Sequence, residues 1–152
     1  MKHIPLILAI YVAIVFLQSL VFKFAGAITG NPVDITVYIF NTVGEWMQSI
    51  GLEAIGTAFI AHGGVTIGVA ELIASILILI PATRLLGAIM GLGIISGAIF
   101  FHIFTPLGLF PYTDLSCTTE GCPTEKALFF MAIGVWLSCA YLCVTTIKSR
   151  SS

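Results

Sequence analysis

Charged residues are scarce in this chain. Lys and Arg number 6 and Asp and Glu number 7, together 9% of 152 residues, whereas soluble domains carry about 25%. So few charges cannot solvate the surface of a water-soluble globule, and the net charge of −1 excludes the basic face that nucleic-acid binding requires. Familiar catalytic motifs are missing as well, because the chain has no G-x-G-x-x-G, Walker loop, H-E-x-x-H or G-x-S-x-G sequence.

Apolar residues are plentiful instead. They make up 59% of the chain, and the mean hydropathy is +1.11. Crossing about 30 Å of hydrocarbon takes roughly 20 apolar residues. Four stretches meet this requirement, at about residues 4–22, 58–80, 85–104 and 127–147. The sequence therefore predicts an all-α membrane protein, with a single domain over residues 1–152 that forms a bundle of four transmembrane helices.

The segment between the first two spans predicts an additional amphipathic helix at about residues 34–50. Its apolar residues recur at helical spacing: Ile35, Ile39, Val43, Trp46, Met47 and Ile50. Such a helix lies in the membrane interface with its aromatic side chain at headgroup depth, or it packs across the mouth of the bundle. The sequence leaves both positions open.

Basic residues near the span ends predict the orientation. Four of them fall on one side of the membrane and two on the other: Lys2, Arg84, Lys148 and Arg150 against Lys23 and Lys126. Cytoplasmic loops carry the excess of Lys and Arg. We therefore expect a multi-pass protein of the bacterial inner membrane, with both termini in the cytoplasm and the two longer loops outside.

Polar side chains gather at one level of the predicted bundle. His62 and His102 each lie 20 positions from Ala82, which is in the turn between spans two and three, so they share a depth. Lys23 ends span one at the same level. This layer is either a binding site for a ligand, such as a quinone or a haem, or a pair of interfacial histidines bonded to main chain or water. Nothing in the sequence shows that the histidines face each other, so haem is disfavoured, and no metal site is predicted.

Glu71 lies nine residues deeper than His62, or about 13 Å along a helix. A carboxylate inside the membrane costs about 2.5–3.5 kcal/mol even on insertion scales, so its side chain should face the bundle interior. There it is protonated or pairs with Lys23. The alternatives are an interhelical hydrogen bond for Glu71 and snorkelling to the interface for Lys23.

The cysteines form two pairs. Cys117 and Cys122 lie in a loop predicted outside the membrane, where a structural disulfide, a redox-active pair and two free thiols are the alternatives. Cys139 and Cys143 lie one turn apart in span four and read as small hydrophobic residues.

Glycines define two small-residue faces on span three. Gly87 and Gly91 form the first and Gly93 and Gly97 the second. Such faces let helices approach closely. Packing within the bundle and a homodimer seam are both consistent with them.

Three segments together carry a family resemblance: FLQSLVFKFAG at 16–26, GVAELIASILILIP at 68–81 and SGAIFFH at 96–102. Over roughly residues 10–110 the chain resembles the DoxX-like family of small bacterial membrane proteins. The resemblance implies a four-helix bundle. It also implies that four residues occupy the family's recurrent polar positions: Lys23, Glu71, Arg84 and His102.

The resemblance also implies several functions. One relative is a membrane subunit associated with thiosulfate:quinone oxidoreductase, and others are linked to oxidative stress, to disulfide maturation or to chaperone-like roles. We therefore expect an accessory or quinone-linked redox subunit that binds a small hydrophobic ligand near the outer leaflet, through Lys23, His62, Glu71 and His102. The alternative is a non-catalytic assembly partner of other membrane proteins. A weaker hypothesis couples thiol oxidation by Cys117 and Cys122 to quinone.

The expected surroundings of the chain are the lipid bilayer and, in addition, a membrane or periplasmic protein or a second copy. Whether the chain is itself catalytic does not follow from its sequence.

Overall fold

Five helices make up the architecture. The computed structural model describes residues 3–117, 119 and 121–150, with residue 150 described by its main chain alone. The helices are α1 (Ile4–Thr29), α2 (Asp34–Ser49), α3 (Glu53–Leu79), α4 (Arg84–Phe104) and α5 (Ala127–Arg150). Four of them, all except α2, are long and apolar enough to cross a membrane. The chain is thus a multi-pass membrane protein whose helices contact the bilayer.

Two helices extend past the predicted spans. α1 continues to Thr29 and α3 begins at Glu53, because hydropathy marks the hydrocarbon core but not the helix ends. Gly30 ends α1 at φ +75°, where its N–H donates to the carbonyl of Gly26, a left-handed cap that suits glycine. Of the residues used to predict orientation, Lys2 and the side chain of Arg150 lie outside the described residues.

The helices pack around α3, which contacts α1, α2 and α4, while α5 packs against α4 and α1. We call the end where residues 80–83 join α3 to α4 the turn end, and the opposite end the loop end. At the turn end Arg84 donates from Nε to the Ile78 carbonyl at 3.0 Å and from Nη2 to the Leu79 carbonyl at 3.4 Å. Arg84 therefore supplies partners to the last carbonyls of α3, which a helix leaves without intrahelical partners.

The turn end holds the close-packed core. Five of its residues are 0% exposed: Ala9, Val12, Ile78, Ala88 and Leu142. A Cβ on Gly87 would lie 2.8 Å from the Ile78 Cα, and one on Gly91 would lie 3.0 Å from the Cys139 Sγ. The first small-residue face therefore packs within the chain, and Cys139 is buried in this core.

The predicted helix between the first two spans is present as α2, and it packs against α3. A Cβ on Gly44 would lie 2.8 Å from the carbonyl oxygen of Gly56, so the two helices cross closely. Val43 is fully buried. Phe40, which lies off the predicted apolar stripe, is buried too, with its ring 5.2 Å from that of Phe59. Burial of α2 therefore extends beyond the single stripe that the sequence suggested.

Residues 111–125 form what we call the loop-end hairpin. The Thr113 N–H donates to the Pro123 carbonyl at 3.1 Å, and the Glu125 N–H donates to the Pro111 carbonyl at 2.9 Å. Cys117 and Cys122 form a disulfide near its tip. Of the three states that the sequence allowed for this pair, the structure has the disulfide.

Candidate ligand-binding site

An ion pair joins α1 to α3 in the loop-end half. Lys23 Nζ lies 2.7 Å from Glu71 Oε2 and 2.9 Å from Oε1. It also donates to Ser19 Oγ at 3.0 Å, and that hydroxyl lies 2.6 Å from Glu71 Oε2. The side chains of Lys23 and Glu71 are 17% and 7% exposed. Lys23 therefore pairs with Glu71, which was one of the two states that the sequence allowed for this carboxylate.

The pair forms because the helical spacing brings its members to one interface. Ser19 and Lys23 are four residues apart on α1 and so share a face of that helix. Glu71 comes from α3, the helix that α1 packs against. The sequence prediction did not assign Ser19 to the site, although its spacing from Lys23 was the signal that could have done so.

Beside the ion pair lies a cavity of about 570 Å³, with walls from all five helices. This volume is in the range of small-molecule sites, about 300–1,000 Å³. Most of the lining is apolar, including Phe16, Phe40 and Phe101. Six polar residues interrupt it: Ser19, Lys23, Glu71, His102, Thr113 and Glu125. An apolar chamber with a few convergent polar groups is the usual composition of a ligand pocket.

The second small-residue face forms part of this chamber. Gly93 and Gly97 line the cavity, and no atom of the described residues lies within 4 Å of a Cβ built on either. The two glycines therefore widen the cavity, whereas the first small-residue face, Gly87 and Gly91, packs against neighbouring helices.

His102 lies in the cavity wall with one ring nitrogen engaged. Its Nδ1 is 2.8 Å from the carbonyl oxygen of Gly108, and its ring makes an edge contact with Phe129 at 5.8 Å. A carbonyl only accepts hydrogen bonds, so Nδ1 carries the hydrogen and a neutral imidazole keeps its lone pair on Nε2. The residue is buried, so its free nitrogen is held in apolar surroundings.

The structure separates His62 from the other predicted site residues. Its side chain is exposed on α3, and it is not among the residues that line the cavity. The reason is helical geometry, because nine positions are about 2.5 turns and place His62 and Glu71 on opposite faces of α3. Of the four predicted residues, Lys23, Glu71 and His102 meet at one cavity. The two histidines do not share it, and so they do not flank a haem there.

The loop-end hairpin contributes to the cavity through its stem. Thr113 and Glu125 line the cavity, whereas Cys117 and Cys122 do not. Tyr112 makes an edge contact with Tyr38 of α2 at 5.5 Å between ring centres. Near the tip, Asp114 Oδ1 accepts hydrogen bonds from the Ser116 hydroxyl and N–H at 2.7 and 2.8 Å, which lowers the pKa of Asp114 below its usual value.

Comparison of the chain with protein-family models, with curated proteins and with solved structures gives no match. Among the residues that the structure describes, no group of three or more His, Cys, Asp or Glu side chains is placed to hold a metal ion. The functional argument therefore rests on the cavity and on the polar groups in its wall.

Proposed function

We propose that this membrane protein binds a small, mainly apolar molecule with a polar headgroup in the cavity of its loop-end half. The observation that carries the proposal is the ion pair of Lys23 and Glu71 in the wall of an apolar chamber of about 570 Å³. Ionisable residues inside a membrane are expensive to bury and usually mark functional sites. An ion pair that only joined two helices would not need an open chamber beside it.

A quinone-type headgroup fits the distribution of the polar groups. Such a ring is flat and apolar, with polar substituents at opposite edges. The cavity offers polar groups on different walls, since Lys23 and Glu71 come from α1 and α3 while His102 comes from α4. The resemblance to the DoxX-like family supports the same class, because that family includes a quinone-linked membrane subunit. We infer membership of that family from the resemblance alone.

The proposed setting is the bacterial inner membrane, with both termini in the cytoplasm. The distribution of Lys and Arg supports this orientation, which places the cavity near the outer leaflet. A fluorescent reporter fused after residue 152 should fold and fluoresce in intact cells. An alkaline phosphatase fused there that proved active would reverse the orientation.

Cavity filling provides the test of binding. We would reconstitute the protein in lipid nanodiscs and titrate it with decylubiquinone, with empty nanodiscs subtracted. Gly97→Leu should weaken binding by about tenfold or more, because the new side chain occupies the space of the ligand. Gly97→Ala should weaken it less. The matched control is Ile89→Leu on the same helix, since the Ile89 side chain is exposed and does not line the cavity.

Thermal unfolding of each variant accompanies the titration. The space beside Gly97 predicts that neither substitution lowers the melting temperature by more than the control does. Absence of decylubiquinone binding to the wild-type protein would contradict the proposal for quinones. Equal binding by the wild type and Gly97→Leu would place any bound ligand outside this cavity.

A further inference from the structure

We propose that the cavity selects ligands that donate a hydrogen bond, with the Glu71 carboxylate as the principal acceptor. Apolar molecules that carry a hydroxyl group, such as phenols and hydroquinones, would then bind more tightly than the matching ethers or quinones. This inference rests on the proposed function and adds to it the hydrogen-bonding character of the ligand.

The donors of the ion pair are already used. An ammonium group has three N–H donors and no acceptor. Lys23 Nζ has three partners in the structure, the two carboxylate oxygens of Glu71 and the hydroxyl of Ser19. The single hydrogen of Ser19 has Glu71 Oε2 at 2.6 Å and the Phe16 carbonyl at 2.7 Å to bond. A ligand carbonyl would therefore have to displace a hydrogen bond of this group.

The other polar residues of the wall follow the same pattern. The hydroxyls of Thr36 and Thr113 each donate to a main-chain carbonyl at 3.3 Å, of Phe22 and Pro123 respectively. The Nδ1–H of His102 donates to the Gly108 carbonyl at 2.8 Å. These donors point at the protein's own main chain.

The acceptors, in contrast, keep spare capacity. The two oxygens of a carboxylate offer about four lone-pair positions, and those of Glu71 meet three donor contacts. Glu125 accepts the Ala127 N–H at Oε1, so its Oε2 is a further acceptor, and neutral His102 has its Nε2 lone pair. Gln18 is the exception in the lining, since its amide can donate as well as accept. The wall is therefore rich in acceptors and poor in donors.

A pair of redox-inert probes tests this preference, namely 4-pentylphenol and 4-pentylanisole. They share one carbon skeleton, but only the phenol can donate. Binding is measured to the full chain in nanodiscs at pH 8, where an ordinary histidine is neutral, and is corrected for partition into empty discs. We expect the phenol to bind about 10- to 100-fold more tightly, as for hydrogen bonds to charged groups. Gly97→Leu should weaken the binding of both probes.

Variants at the acceptor complete the test. Glu71→Gln should bring the affinity ratio close to one, because a carboxamide is a weaker acceptor and also a donor. That substitution strands the charge of Lys23, so Lys23→Met combined with Glu71→Gln is measured beside it. The double variant leaves no unpaired charge in the cavity wall and should show the same fall.

The outcomes separate this inference from the proposed function. Equal affinity of the wild type for both probes, with both weakened in Gly97→Leu, overturns the donor preference and leaves the binding function standing. A wild-type preference that persists in the double variant overturns the assignment to Glu71. Binding of neither probe and of no decylubiquinone overturns the proposed function and this inference together.

Discussion

At the turn end of α4, Gly87 lies against Ile78 and Gly91 lies against Cys139, whereas Gly93 and Gly97 near the loop end of the same helix face open space. The connections of the helices differ in the same way. A short turn joins α3 to α4 at one end, while α2 and the loop-end hairpin are inserted at the other. A small-residue face therefore marks close packing only where the neighbouring helices are free to approach it. Where inserted elements hold them apart, the same spacing of glycines lines a cavity.

The two halves also differ in polarity. The turn-end core is built from small and aliphatic side chains, including Ala9, Val12 and Leu142. The loop-end half contains the ion pair of Lys23 and Glu71. The stability of the turn end should therefore depend on side-chain volume, and that of the loop end on charge.

The largest effect is expected from breaking the ion pair at the loop end. Glu71→Ala should lower the free energy of unfolding by about 3–5 kcal/mol, because removal of one partner strands a buried charge. Thermal or denaturant unfolding in detergent measures this loss. Glu53→Ala is the matched control, since Glu53 lies on the same helix and is exposed. A loss no larger than that of the control would mean that the pair is not buried as described.

An intermediate effect should distinguish the two glycine faces directly. Gly87→Ala should lower the free energy of unfolding by about 1–3 kcal/mol, because its Cβ would overlap the main chain of Ile78. Gly93→Ala should raise it by about 0.5–1 kcal/mol, because alanine is favoured over glycine within a helix. The same substitution on one helix thus gives opposite signs. Two losses of equal size would remove the distinction between the halves.

The smallest effect concerns the pH dependence of the loop-end hairpin. Hydrogen bonds from Ser116 lower the pKa of Asp114 in the folded protein. A lowered pKa stabilises the fold above the unfolded value of about 4, and this stabilisation is lost as the pH falls through the folded value. The difference in melting temperature between the wild type and Asp114→Ala should therefore be constant near neutrality and shrink below about pH 4. Glu45→Ala on α2, at an exposed position, serves as the comparison, and an equal shrinkage there would assign the effect to general acid denaturation.

Much of the helical architecture could be predicted from the sequence, because hydropathy directly reports the length of apolar runs. Each of the four predicted spans falls on a long helix, and the expected extra helix corresponds to α2. Helix ends were less accessible, since Gly30 and not the loss of hydropathy ends α1.

The site could be predicted only in part. Depth is readable from distance to a turn, and it correctly grouped Lys23 with His102. The face of a helix is a second coordinate, and neglect of it joined His62 to the group although the nine-residue offset from Glu71 places it opposite. The cavity was not predictable, because it depends on how far inserted elements separate the helices, which no local spacing records.

The separation of Lys23 from Glu71 along the chain bears on the order of events during synthesis. The two residues are 48 positions apart, so at about 5–20 residues per second Lys23 leaves the ribosome roughly 2–10 s before its partner. During that interval α1 carries a lone cation, which a long lysine side chain can keep at the membrane surface. The arrival of α3 removes the need for that position. Charge neutralisation thus couples the final placement of the first helix to the insertion of the third, and the binding chamber closes only once both are in place.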